Sequence, residues 1–391
     1  MINRCVVKMG SALLTQNGRG LDRSLIERRV AEIAAYHAMG GDCVLVSSGA
    51  VAQGMATLGV QRRPSVLSEL QALAAVGQMG LVQAYEVEFG KHKINTAQLL
   101  LTHSDVVDRK RYLNVRATLR ALLNRRIVPI INENDSVATE EMCFGDNDTL
   151  GAVVTQLIEA PLLVILTDQA GLFDADPRTH SNATLIPVAS VSDPQLKKYV
   201  AGSVTGLGRG GMITKLRAAE LAAQFGAATI IADGREDRCL LRLQIADLLS
   251  VDVSNAACWR RPNSSATWGT LLLPTKNRLA ARKAWLAAHR QVLGHLTVDD
   301  GAVLAISREG KSLLPVGVIS VSGNFDRGEM VAVRSSRGQT IAHGLANYRA
   351  SDAKKLIGIS SSMIADRLGF AGDQEVIHRD NLLVIGLDDS N

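Results

Sequence analysis

Through roughly the first 250 residues, short unbroken apolar runs alternate with longer amphipathic stretches, and few folds accommodate that pattern. The apolar runs are Cys5–Met9, Cys43–Ser47, Thr96–Leu101, Ile127–Asn132, Leu162–Thr167 and Ala228–Ala232. Between them lie Arg23–Met39, Ser65–Phe89, Asp108–Arg125, Thr149–Glu159 and Met212–Gln224, with helical periodicity. Runs of Val, Ile and Leu without polar alternation belong to strands buried on both faces, and intervening helices make such strands parallel. The expected fold class is therefore α/β, a parallel sheet sandwiched between helices. Ligands of such sheets bind beyond the carboxyl ends of the strands, so the loops after each run are where chemistry is to be sought.

Residues 255–293 break the pattern. They hold seven basic residues, no acidic ones and all three tryptophans, Trp259, Trp268 and Trp285. The formal charge of +5 arises here, because residues 1–254 balance 26 basic against 26 acidic side chains and residues 294–391 hold ten against twelve. We read 255–293 as a basic linker, and the Trp and Arg content of Ser254–Thr275 as packing the domains together in preference to a nucleic-acid patch. It separates a first domain, 1–254, from a second texture of short runs: Val303–Ser307, Gly317–Val321, Met330–Arg334 and Thr340–Ala346, punctuated by glycines. These predict a small β-rich domain over 294–372, with a tail over 373–391.

No apolar run approaches the roughly 18 residues of a membrane helix, and the first residues turn polar too soon for a signal peptide. Five scattered cysteines with no Cys-x-x-Cys pair argue against a disulfide framework or a zinc site. A cytoplasmic setting and no membrane partner are expected.

The first run ends Val6-Val7-Lys8-Met9-Gly10-Ser11. A lysine leaving a buried strand into Gly-Ser suits anion binding, because glycine lets backbone N–H groups approach a phosphate; a solvated lysine beside a turn has the same letters. Ser47-Ser48-Gly49-Ala50 permits a tight strand-to-helix turn that either holds an anion or caps the helix. Two clusters, Asn132-Glu133-Asn134-Asp135 and Gly145-Asp146-Asn147-Asp148-Thr149, contain more amides and carboxylates than one cap employs. Asn with Asp suits an amino-acid ligand, the carboxylate for its ammonium and the amide for its carboxyl; calcium-loop spacing is absent. Thr167-Asp168, at a strand tip, suits a sugar hydroxyl or a base edge. The loop Gly206–Lys215 contains a literal G-x-G-x-x-G, but no buried strand precedes it and Lys215 comes too late for a Walker lysine. What survives is a phosphate-cradling loop with its own lysine.

Two lysines, two glycine-rich turns and an Asn/Asp-rich pocket fit phosphoryl transfer, where positioning and charge neutralisation dominate. A carboxylate acceptor, with a pKa of about 4.3 for a glutamate side chain, is already ionised at neutral pH and needs no base. Its difficulty is repulsion from a polyanion, which lysines and Mg²⁺ relieve.

Val6–Ser11, Ser47–Ala50, Ile131–Asp135, Gly145–Asp148, Leu166–Asp168 and Gly208–Lys215, in that order, resemble the motifs of the amino acid kinase family. Thr297–Gly301, Ser312–Pro315, Gly323–Glu329 and Gly344 resemble a C-terminal PUA domain. The resemblance spans nearly the whole chain. It implies transfer of the ATP γ-phosphate, with Mg²⁺, to the side-chain carboxylate of L-glutamate, giving L-glutamyl 5-phosphate. That is the first step of proline biosynthesis, with proline as a feedback inhibitor. By position it implies Lys8 and Lys215 at the transferring phosphoryl group, with Asp148 orienting them. It places Ser48, Asp135 and Asn147 at glutamate, and Lys8, Thr167, Asp168, Arg209, Gly210, Gly211, Met212, Ile213, Thr214 and Lys215 at ATP. Arg209 departs from the family, which usually has a small residue there. A dimer or tetramer is implied. PUA domains elsewhere bind RNA, whereas the net charge of −2 over 294–391 opposes that partner. The rival readings are a kinase of acetylglutamate or aspartate, an oxidoreductase drawn from the G-x-G-x-x-G, and an RNA-binding protein with a degenerate kinase domain. Convergence of Lys8 and Lys215 on one point separates the kinase readings from the rest.

Overall fold

In the computed structural model, which describes residues 3–15, 20–138, 146–201, 211–237, 239–240, 259, 267–275, 292–370 and 372–385, all six apolar runs form strands. They are β1 (Arg4–Met9), β2 (Asp42–Val46), β3 (Thr96–Leu101), β4 (Val128–Glu133), β5 (Leu162–Thr167) and β7 (Ala228–Asp233). Two short strands, β6 (Val188–Ser190) and β8 (Thr270–Leu273), complete an eight-stranded sheet in the order β3-β4-β2-β1-β5-β7-β8-β6. Neighbours run parallel except β7 and β8, which are antiparallel, so the sheet is mixed at one edge. β8 falls inside the stretch read as a linker, and that reading is corrected: Thr270–Leu273 belongs to the sheet. Trp259 is buried in the same core and donates its indole N–H to the Gly269 carbonyl at 2.8 Å, and Trp268 packs against it. Trp285 and the basic residues of 255–293 lie outside the described residues.

The chain divides into two compact units, Met1–Arg278 and Leu279–Asn391. In the first, the helices are α1 (Ser11–Leu14), α2 (Arg23–Ala38), α3 (Ala50–Leu58), α4 (Leu67–Lys91), α5 (His103–Val107), α6 (Arg109–Asn124), α7 (Asn147–Leu157), α8 (Pro194–Ala201) and α9 (Met212–Ala223). Strand alternation sorts β1 between two cores. Cys5, Val7 and Met9 face α2 and α4, while Val6 faces the layer of α6, α7 and α9. Each fully buried Val, Leu or Ile in these layers contributes about 1.5–3 kcal/mol. Lys8 shares the parity of Val6 and therefore emerges on the α7–α9 side. Since β1 connects to β2 on one side and lies against β5 on the other, the crevice beyond β1 and β5 is where the strand order reverses.

α3 and α4 touch through backbone. A Cβ at Gly77 would lie 1.9 Å from the Ala50 carbonyl oxygen, and one at Gly54 1.9 Å from that of Leu73. This contact seats the Ser48–Ala50 turn against α4.

The second unit holds a five-stranded sheet in the order β10-β9-β11-β12-β13, comprising β9 (Gly294–Val298), β10 (Val318–Gly323), β11 (Met330–Ser335), β12 (Thr340–Leu345) and β13 (Leu382–Val384). β9 and β11 are parallel and the other pairs antiparallel, over a core that includes Leu296, Val333, Ile341 and Ile377. Two expectations are corrected here. Val303–Ser307 is not a strand but the body of a helix, Asp300–Ser307, because the Asp299 side chain caps it by accepting from the Ala302 N–H at 2.7 Å. Within the supposed tail, Leu382–Val384 pairs with β12. Among the described residues no helix is long and apolar enough to cross a membrane.

Candidate active site

The start of α7 organises the cleft. Asp146 is its N-cap, accepting from the Thr149 N–H at 2.7 Å, which leaves the next two side chains for other work. Asp148, fully buried, stands between two ammonium groups. Lys8 Nζ lies 2.5 Å from its Oδ1 and Lys215 Nζ 3.1 Å from its Oδ2, and the Thr214 hydroxyl donates to Oδ2 at 2.8 Å. The lysines come from the end of β1 and the first turn of α9, and the two ammonium groups converge on one carboxylate.

Burial pushes the Asp148 carboxyl up, yet the ammonium groups of Lys8 and then Lys215, with the Thr214 hydroxyl, bring it down to about 2. It is therefore an anion at neutral pH. Burial lowers the Lys8 ammonium below the usual lysine range more than Asp148 raises it, and the Lys215 charge lowers it further. Burial also raises the Asp146 carboxyl, against the Thr149 N–H, and the negative Asp148 adds to that rise. An ammonium has three donors, so after meeting Asp148 each lysine retains N–H groups for a ligand.

Asn147 turns to the opposite end of the cleft. Its amide nitrogen lies 2.7 Å from the Ser47 carbonyl oxygen, 2.8 Å from Ser48 Oγ and 2.9 Å from Asn132 Oδ1. Asn132, at the end of β4, donates in turn to Gln78 Oε1 on α4 at 2.8 Å. The Ser47 hydroxyl pairs with Tyr85 at 3.0 Å, bracing the β2 end against α4. Gly49, the N-cap of α3, has φ 97°, a left-handed conformation suited to glycine. No side chain caps α3, and its first turn lines the cleft with unspent N–H groups, a natural anion seat.

One open cleft brings together Lys8, Ser48, Asp135, Asn147, Asp148, Thr167, Asp168 and Lys215 from the sequence-derived set. Thr167 is buried and donates to Asp168 Oδ1 at 3.1 Å. Thr214 reaches the cluster through Asp148, and Gly211 is the N-cap of α9. Met212 follows it, half-buried, while the Ile213 side chain is exposed. Arg209 and Gly210 lie outside the described residues. Glu133, within the Asn132–Asp135 cluster, also lines the cleft, whereas sequence reasoning missed Asn132 as a bridge, Gln78 behind it and Arg63 in the lining. The signal for Gln78 was a lone amide inside the otherwise apolar Leu73–Val82 stretch of α4; Arg63 offered none.

Residues 3–233 match the amino acid kinase family and residues 294–366 match the PUA domain. A glutamate 5-kinase of Pseudomonas savastanoi pv. phaseolicola (strain 1448A / Race 6) is 54% identical over 382 residues, covering 98% of this chain and 99% of that protein. Glutamate 5-kinases of Pseudomonas fluorescens (strain Pf0-1) and Pseudomonas aeruginosa (strain UCBPP-PA14) are 54% and 53% identical, with 98% of each chain covered. With the kinase match followed by the PUA match along nearly its whole length, this chain belongs to the glutamate 5-kinase branch of the amino acid kinase family.

Proposed function

We propose that the chain transfers the γ-phosphate of ATP to the side-chain carboxylate of L-glutamate, releasing ADP and L-glutamyl 5-phosphate, the first step of proline biosynthesis. The observation that carries this reading is the meeting of Lys8 and Lys215 on Asp148 beyond the end of β1. A glutamate carboxylate oxygen forms a bond to the γ-phosphorus while the bond from phosphorus to the bridging β–γ oxygen breaks, and that electron pair leaves with ADP. No proton moves, which fits a site whose central carboxylate is an anion held by two cations.

Lys8 and Lys215 neutralise the phosphoryl oxygens as charge spreads over them, and Asp148 keeps both in place. Ser48, Asp135 and Asn147 hold glutamate, while Thr167, Asp168 and the start of α9 from Gly211 to Lys215 hold the nucleotide. The carboxylates of Asp146 and Asp168 line the cleft. Such oxygen donors would hold Mg²⁺ carried on the phosphates, where it would add further charge neutralisation.

The test is ADP release on adding L-glutamate to Mg²⁺-ATP, compared with Lys215→Ala. We expect kcat to fall roughly 10²–10³-fold, the scale for losing one preorganised charge donor. Unchanged turnover removes Lys215 from the mechanism. The same assay with proline added tests feedback inhibition, and light scattering tests a dimer or tetramer. The expected setting is the cytoplasm.

A further inference from the structure

Three cationic side chains line the cleft among the described residues: Lys8, Lys215 and Arg63. The first two are committed to Asp148. Arg63 is exposed on the loop between α3 and α4, and among the described residues no hydrogen bond or ion pair occupies its guanidinium. A guanidinium that lines a cleft without an anion of its own is matched to a carboxylate or phosphate, which it grips with two parallel N–H groups.

The charges of the acceptor decide between those ligands. Thr167, Asp168 and α9 serve the nucleotide. Arg63 lies on the loop joining α3 to α4 and lines the same cleft as Asn132, Glu133 and Asp135. An amino-acid acceptor brings three charges to this cleft. Its side-chain carboxylate must face Lys8 and Lys215, and its ammonium finds carboxylates in Glu133 and Asp135. Its α-carboxylate still requires a cation.

We infer that Arg63 is a specificity-determining residue that holds the α-carboxylate of the acceptor and so selects amino diacids over mono-acids. The inference rests on the kinase reading above and names which end of the acceptor Arg63 recognises. A second carboxylate at the amide end thereby fixes which carboxylate remains for the lysines.

The experiment compares wild type with Arg63→Ala and Arg63→Lys on three ligands: L-glutamate as substrate, and glutarate and 4-aminobutyrate as competitors. Glutarate keeps both carboxylates and lacks the ammonium; 4-aminobutyrate lacks the α-carboxylate. In Arg63→Ala we expect KM for glutamate and Ki for glutarate to rise together by roughly tenfold, a modest figure because the site is solvent-facing. Ki for 4-aminobutyrate, kcat and KM for ATP stay at their wild-type values, and Arg63→Lys recovers part of the loss. A glutamate KM and glutarate Ki that do not move overturn the inference, as does an equal rise for all three ligands or a rise in the ATP KM. A wild-type protein that turns over no glutamate sinks the kinase reading itself. Normal wild-type turnover with an indifferent Arg63→Ala sinks the arginine assignment alone.

Discussion

At one end of the cleft three ionised side chains, Lys8, Asp148 and Lys215, are buried against one another. At the other, Asn147, Asn132 and Gln78 form a relay of neutral amides between α7, β4 and α4. The ionic end holds charge that would be costly to bury unpaired, and its Coulomb fields are strong because water is excluded. The amide end carries no such penalty and specifies by direction, since each amide has fixed donors and acceptors. In the proposed function, neutralising a developing charge and orienting a ligand fall to different materials, carried by the adjacent residues Asp148 and Asn147.

The sharpest way to break this contrast is Asp148→Asn, which keeps shape and removes the anion between the lysines. We expect kcat to fall about 10³-fold and stability to drop by about 3–5 kcal/mol, since two buried ammonium groups lose their counter-ion. The acid limb follows. The Asp148 carboxyl sits at about 2 in the folded protein, below its ordinary 3.8. Its stabilisation is therefore complete above 3.8 and is lost as pH falls towards 2. Urea unfolding at pH 5 and pH 3 should show less of that loss in Asp148→Asn than in wild type, and equal loss in both would refute the assignment.

A middle-sized effect is expected from the amide end. Asn147→Ala removes the hydrogen bonds to Ser47, Ser48 and Asn132 but leaves the lysine cluster intact. We expect kcat/KM for glutamate to fall about 30-fold, mostly in KM, with the ATP KM unchanged. A loss confined to kcat would mean that the two ends do not divide labour as described.

The smallest kinetic effect is expected from Gly77→Ala, which drives a methyl into the Ala50 carbonyl and shifts α3. Stability should fall by about 1–3 kcal/mol and the glutamate KM rise a few-fold. Gly90, in the same helix, has nothing within 4 Å of where its Cβ would lie. Gly90→Ala should be neutral or stabilise by about 0.5–1 kcal/mol. Calorimetry of the two variants shows whether backbone contact or helix propensity governs these glycines.

Much of this was legible in the letters because buried parallel strands leave an unmistakable pattern: β1, β2, β4, β5 and β7 are near-continuous apolar runs. The surplus of polar side chains in Asp146-Asn147-Asp148 also read correctly as one cap and two residues left over. What failed was short or at an edge. β8 is four residues long in a tryptophan-rich stretch, and β13 three residues long near the end of the chain. Val303–Ser307 is apolar enough for either a strand or a helix, and a single capping carboxylate, Asp299, decides the matter. Gln78 was hidden because its partner, Asn132, lies 54 residues away on another element, a pairing that only the folded sheet creates.

The three consecutive residues that open α7 act as a ruler. Successive helical residues differ by about 1.5 Å along the axis and about 100° around it, so the spacing between the amide grip and the ionic grip is set by one peptide unit. No hinge or loop intervenes that would let one grip drift from the other. Under the proposed roles, a substrate one methylene shorter or longer would reach the lysines out of step with the amides, and the pitch of the helix itself would be the gauge that rejects it.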